Sequence, residues 1–467
     1  MGSIVTNGSS VIRKKIGLFS CVLFGLAMLL PIAPVPVYSE IQPLSQGHMA
    51  MCYLLASIPM AFSAWSFGSL GAEFPRAGSS YTFTSKSIHP YLGFVVGWTL
   101  LLDYGLFPLL NYVVMSMFIC SLFPALNYTI VIIVTIILIC IVNLLGIKSI
   151  ASVNNILTIF GFLVVFYFLY TAITALNGGA GAGMSSIGFY NPDSFNLHLV
   201  LTGASIACFS YLGFDAITTL AEDIIEPRKN LPRATISTCI VMTLVFIVMS
   251  WLAQNLFPGF EYSNQDLGFL DAAGIAGGAV MTNAITLAMI AGGFAFSLDM
   301  MAGVTRLLFG MGRDGVLPKK VFGYISNKGV PVWNIVIITV FSLIFSNVTL
   351  GDLIPLINFG GLFAFVCVNL SVIIRFFVKK RQRSGLANIL KWLVLPGLGF
   401  VTCLILWVSL PTKWLGGSWF LVGVIYLAVL SRGFRKPIRA FGADDEADVE
   451  AVAETVTGPE LETGKGE

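Results

Sequence analysis

Along the chain, long apolar runs alternate with short polar connections. A helix crossing a hydrocarbon core of ~30 Å needs about 20 apolar residues. Twelve stretches meet that need, at about 17–42, 48–69, 92–120, 126–147, 152–176, 197–221, 235–257, 279–306, 332–350, 354–378, 389–410 and 415–432. Each is continuously apolar, without the every-second-residue alternation of a barrel strand, so the pattern predicts α-helices. The expected fold class is an all-α membrane protein with 12 transmembrane helices.

Two of these runs are interrupted. Span 1 carries Pro31, Pro34 and Pro36, and each proline removes a backbone donor and crowds the turn before it. Span 6 runs into the Ser205 to Ala234 stretch, which holds Gly213 and Asp215 in mid-run. Lipid cannot satisfy freed backbone groups, so an interruption survives only where it lines a protein cavity. Disrupted helices at equivalent positions, five spans apart, point to an inverted repeat with a binding site at its interface. A simple proline kink is the alternative for span 1, and three prolines within six residues weigh against it.

Composition narrows the setting. With 57% hydrophobic and 10% charged residues, the 467-residue chain has too few charges to coat a soluble body. When connections are assigned alternately to two sides, 25 of the 26 Lys and Arg residues fall on one side and only Lys413 on the other. That asymmetry predicts that both termini are cytoplasmic. The net charge of +3 is then a topological signal and gives no reason to expect a nucleic-acid partner. The polar start ending in Arg13-Lys14-Lys15 leads into a run too long for a signal core, so span 1 is expected to be retained. The eight cysteines sit in apolar runs without a Cys-x-x-Cys pair, and His48, His89 and His198 have no ligand spacing. Neither a disulfide framework, a metal site nor a cofactor is expected, and no nucleophile–base spacing suggests an enzyme.

Charge inside the spans supplies the candidate chemistry. Asp103, Asp215, Asp299 and Glu40 lie within or at the edge of apolar runs, with no Lys or Arg at comparable depth. A carboxylate at mid-bilayer costs at least ~2.5 kcal/mol, so each must be protonated, solvated by a cavity or paired with a visiting cation. An acid so placed holds its proton until an ammonium arrives, which is the minimal chemistry of coupled transport. Tyr104 follows Asp103 and Phe214 precedes Asp215, and aromatic faces beside carboxylates suit an amine. Asp103 reads equally well as a structural acid bonded to a neighbouring helix. Glu222 and Asp223 sit near Arg228 and Lys229, which fits a solvated face or a gate. Glu222 stays a candidate because unwinding at Gly213 would change its depth. Asp299 and Arg306, seven residues apart on one face, suit a gate pair or a coupling-ion site.

Several separated segments together resemble one family. Pro75-Arg76-Ala77-Gly78-Ser79-Ser80-Tyr81 is similar to a Pro-x-Ala-Gly-Gly-x-Tyr segment of the amino acid–polyamine–organocation superfamily, and Gly93 to Trp98 follows at the expected interval. Phe209 to Pro232 and Arg306 to Pro318 complete the set. Within that superfamily, Leu101 to Tyr104, the Gly213 to Ala216 run with Glu222, and Ile357 to Leu362 with Val368 to Val372 resemble the bacterial putrescine importer group. The resemblance covers about residues 15 to 435. It implies a LeuT-like fold of five-plus-five inverted repeats plus two C-terminal helices. The boundaries would be a tail at 1–15, a transporter domain at 16–435 and an acidic, disordered tail at 436–467. Within the domain, repeat one would cover about 17–176, repeat two about 197–378 and the last helices about 389–432. It also implies uptake by alternating access without covalent chemistry, with Tyr104 and Glu222 touching substrate. Two departures stand out. Pro36 and Ser39 occupy the span 1 break where that group has an acid and a glycine, and Gly161 replaces a lysine found in span 5 of several proton-coupled members.

The expected function is import of a small amine-bearing solute, an amino acid or a polyamine, across the cell membrane with protons. Pro31, Ala33, Pro34 and Val35 of the first break and Phe209, Ser210, Gly213 and Phe214 of the second would hold the solute. Asp103, Tyr104, Asp215 and Glu222 would read its ammonium, and Asp299 is the coupling candidate. A sensor that does not transport, a sodium-coupled carrier and an exchanger of the same fold are the alternatives.

Overall fold

The computed structural model of the chain describes residues 16–75, 80–145, 151–221, 223–313, 315–326, 329–411 and 413–435, the side chains of 151–155 excepted. The tails at 1–15 and 436–467, Glu222, and Arg76 to Ser79 of the Pro75–Tyr81 segment lie outside these residues. Regular structure among the described residues is helical, without a named strand. The elements used below are α1 (Leu18–Leu29), α2 (Tyr38–Leu44), α3 (Met49–Glu73), α4 (Ser80–Ser87), α5 (Pro90–Leu122), α6 (Tyr128–Leu144), α7 (Ala151–Asn177), α8 (Leu197–Ala207), α9 (Pro227–Leu256) and α10 (Phe269–Arg313). They continue with α11 (Lys319–Phe322), α12 (Val332–Ile344), α13 (Leu350–Val372), α14 (Leu386–Ile389), α15 (Leu395–Val408) and α16 (Lys413–Leu430). Nine helical stretches among the described residues are long and apolar enough to cross a membrane, and Leu18–Leu29, Tyr128–Leu144 and Val332–Ile344 are shorter apolar helices in the remaining predicted runs.

Packing explains the glycine content. Where lipid surrounds a protein, water no longer drives helices together, and small residues that let backbones touch do much of the work. A Cβ at Gly68 of α3 would stand 2.4 Å from Pro232 Cα of α9, so these two helices meet backbone to backbone. Thr235 Oγ1 donates to the Ala64 carbonyl at 2.7 Å across the same contact. A buried knot joins α3, α13 and α15: Ser66 donates to Asn369 Oδ1 (2.7 Å), Asn369 Nδ2 donates to Ser63 (2.9 Å), and Ser63 meets Cys403 Sγ at 3.3 Å. Large apolar side chains on α6, α7 and α16, such as Val134, Phe166 and Val429, are exposed. That is the surface a helix bundle presents to lipid tails.

Three features lock the ends of elements. Two N–H groups of Arg375, just past α13, donate to Glu73 Oε1 at the end of α3 (3.1 and 2.8 Å), and Lys380 pairs with the same oxygen. Ile16 exchanges backbone bonds with Asp223 and Ile225 (3.1 and 3.0 Å), tying the start of α1 to the end of span 6. Gln42 of α2 donates to Gln254 of α9, and the Met49 amide donates to Gln42 Oε1 (3.2 Å).

Candidate functional site

The first break follows from the prolines. α1 stops at Leu29, Leu30 turns to φ +49°, and the chain then winds through short turns closed by Ala33 N to Leu30 O and Val35 N to Ile32 O, both 3.0 Å. With Pro31, Pro34 and Pro36 lacking N–H groups, no regular i to i−4 ladder can form there. The helix restarts as α2 at Tyr38.

The second break answers it. α8 ends at Ala207, a 3₁₀ turn covers Cys208–Tyr211, Leu212 is extended, and Gly213 takes φ +120° before a second 3₁₀ helix over Phe214–Leu220. Such a φ is open to glycine and costly for any other residue. A Cβ on Gly213 would also stand 3.0 Å from the Met28 carbonyl oxygen, so the second break presses on the last turn of α1. Freed groups find partners within the protein, as lipid requires. Asn358 Nδ2 donates to the Ser205 and Ile206 carbonyls (2.9 and 3.1 Å), and Ser210 Oγ donates to the Ala33 carbonyl (3.4 Å) while bonding Tyr53 Oη (2.7 Å).

A cavity of about 50 Å³ lies between the breaks, α5 and α10. Ala33 and Pro36, Phe209 and Ser210, Phe107 and Asn111, and Gly293 and Phe296 are among its walls, and its polar side chains are Asn111 and Ser210. No ionisable side chain among the described residues lines it. One side is closed by three rings: Phe107 stacks on Phe209 (5.2 Å between centroids) and meets Phe296 edge-on (5.4 Å).

The acids lie beyond that aromatic layer. Asp103 precedes Phe107 by one turn, about 6 Å along α5, on the face that continues through Leu110, Asn111 and Val114. Asp299 follows Phe296 by three residues on α10. A Cβ on Gly303 would stand 3.9 Å from Tyr104. α5 and α10 therefore run antiparallel past each other, and Asp103 and Asp299 fall on the same side of the layer. Asp103 is buried, and Asp103, Tyr104 and Asp215 lie within electrostatic reach of one another. At the other end of α5, an open cavity of about 550 Å³ lies among Cys120, Tyr128, Asp266 and Asn347. α5 thus passes in order a buried acid, an aromatic layer, an apolar cavity and a second, larger cavity.

The structure brings some of the sequence candidates together and separates others. Ala33, Phe209 and Ser210 line the cavity. Asp103, Tyr104 and Asp215 group beside it. Pro31 packs on Gly161, where a Cβ would stand 3.1 Å from its ring. Pro34 and Val35 are buried outside the cavity wall. Gly213 sits against Met28, and Phe214 packs between Phe67 (5.5 Å) and Phe365 (5.3 Å) in the core. Asp299 is partly buried while Arg306 is exposed. Glu40 stands beside Gly351 at the start of α13, with Asp266 and Asp352 as acidic neighbours. Among the described residues, no group of three or more His, Cys, Asp or Glu could hold a metal ion. Sequence reasoning missed Phe107, Asn111, Met289 and Phe296. For the α5 pair, the spacing from Asp103 at i+4 and i+8 was the available signal.

Comparison with known proteins decides the family. The amino acid permease family profile matches residues 21–437. The chain belongs to the amino acid permease family. This permease is 33% identical over 447 residues to the low-affinity putrescine importer PlaP of Escherichia coli (strain K12), an alignment covering 93% of this chain and 98% of that protein. The branched-chain amino acid permease BcaP of Bacillus subtilis (strain 168) is 26% identical over 466 residues, 92% of this chain and 96% of the relative. A methylthioribose transporter of the same organism is 24% identical over 91% of this chain and 95% of its own length. The family and these relatives are transporters, not enzymes, and the permease is a multi-pass membrane protein.

Proposed function

We propose that the permease imports a small amine-bearing solute, an amino acid or an aliphatic polyamine, by alternating access coupled to protons. The observation that carries this reading is the contact of two interrupted spans over an apolar cavity, with carboxylates one helical turn beyond its aromatic wall. The walls suit an aliphatic body. Asp103 and Asp215, with Tyr104, suit an ammonium, and Asp299 is the coupling candidate. Relatives named for putrescine and for branched-chain amino acids support both halves of that description.

The same reading takes the chain to cross the membrane twelve times in a LeuT-like arrangement. Spans 1–5 and 6–10 would form inverted repeats, spans 11 and 12 would follow, and both tails would be cytoplasmic. The contact between breaks five spans apart supports the repeat, and the placement of 25 of 26 basic residues supports the orientation. Counterflow in liposomes against a panel of amino acids and polyamines, with and without an imposed pH gradient, tests it. Saturable uptake of one of these solutes that rises when the outside is acidic is expected. Binding without counterflow would make the protein a sensor, and uptake that follows sodium or an exchanged solute instead of pH would overturn proton coupling.

A further inference from the structure

One turn of α13 reaches both the span 6 break and α5. Asn358 is fully buried, and its amide donates to two consecutive carbonyls, Ser205 and Ile206, where span 6 leaves the α-helix. Two residues on, a Cβ at Gly360 would stand 2.4 Å from the Thr99 carbonyl oxygen and 3.2 Å from the Asp103 amide nitrogen. At Gly361 a Cβ would meet Leu212 Cδ2 at 2.7 Å and Asp103 Oδ2 at 3.4 Å. One helical turn thus touches both ends of the span 6 break and the turn of α5 that carries Asp103.

We infer that the Asn358–Gly361 turn is a positioning element that holds the span 6 break open and fixes its register against Asp103. The inference rests on the proposed binding role of that break. Asn358 donates to two carbonyls that a continuing α-helix would pair with the amides of Phe209 and Ser210, while its own Oδ1 is buried with no partner. An unpaired buried acceptor is a cost, and packing alone is met as well by an apolar side chain of the same size. The amide donors are what the position needs. Glycines at 360 and 361 let the backbones of α5 and the break close on α13, so the two donors and the Asp103 carboxylate keep a fixed spacing.

The test uses full-length protein in nanodiscs and liposomes. Asn358→Asp keeps the shape and replaces both N–H donors with a carboxyl group, Asn358→Leu removes all polarity, and Asn358→Ser keeps one donor. In the Asp and Leu variants, amide hydrogen exchange over residues 203–216 should rise at least tenfold while peptides from α9 and α15 stay unchanged. The KM for the transported amine should rise at least tenfold with maximal rate within threefold, and Ser should be intermediate on both measures. Exchange over 203–216 identical to the parent protein overturns the inference, as does a uniform rise across the whole protein. If the parent protein carries no amine, the transport reading fails, and the exchange measurement still decides the role of Asn358. Should both Asp and Leu variants misfold, Gly361→Ala provides the second arm. Its added methyl should raise the KM at least fivefold without changing exchange in α9, and an unchanged KM overturns the inference.

Discussion

At the scale of single residues, the proposed site depends on carboxyl groups held inside apolar helices, where a charge costs at least ~2.5 kcal/mol unless it is paired or protonated. Asp103 and Asp215 stood out because an acid inside an apolar run is expensive, and the structure puts them with Tyr104 in one group. Asp215→Asn should lower uptake of a cationic amine at least tenfold with normal expression, read by initial rates in liposomes; unchanged uptake would remove Asp215 from the site. Phe107, Asn111 and Phe296 escaped notice because they sit in runs that are apolar on every side, and such runs do not announce which face meets a cavity. Glu73 is a second residue-scale case. Its carboxylate holds Arg375 and Lys380 together, all three partly shielded from solvent. Glu73→Gln should leave two cations facing each other and cost about 1–2 kcal/mol after allowing for that partial exposure. A melting temperature lower by a few degrees in detergent would show it, and an unchanged one would assign the pair no stabilising role.

At the scale of elements, the two breaks were readable because their cause is local. Three prolines cannot continue a helical ladder, and Gly213 marks the one place in span 6 where φ is +120°. The form of the second break was not readable. Phe214–Leu220 winds as a 3₁₀ helix, and Asn358, whose amide serves the Ser205 and Ile206 carbonyls where α8 ends, comes from a helix far away in sequence. Gly213→Ala should be strained by its φ and by the Met28 carbonyl 3.0 Å from the new methyl. The strain is of order 1–3 kcal/mol, seen as lowered thermal stability together with lowered uptake; parent-like behaviour in both assays would mean that the break relaxes freely. Gly68→Leu, at the backbone contact with Pro232, should separate α3 from α9 and prevent stable folding, measured as loss of the monodisperse peak on size exclusion.

At the scale of the whole molecule, the partition of basic residues makes a prediction that does not depend on transport. In a cysteine-free background, a membrane-impermeant maleimide added to intact cells should label Lys413→Cys and leave Arg228→Cys unlabelled; the reverse pattern would invert the topology. Hydropathy, proline placement and the Lys and Arg distribution by themselves determined that the chain is helical, belongs in a bilayer, and breaks at spans 1 and 6, because each depends on residues close in sequence and on their solvent. Which faces enclose the cavity, that three phenylalanines from spans 3, 6 and 8 separate it from the carboxylates, and that one turn of span 10 holds the break open were decided only by tertiary structure. Those contacts join residues as many as 261 positions apart, from Thr99 to Gly360, and helical runs apolar all round carry no pattern that specifies which of their faces will meet.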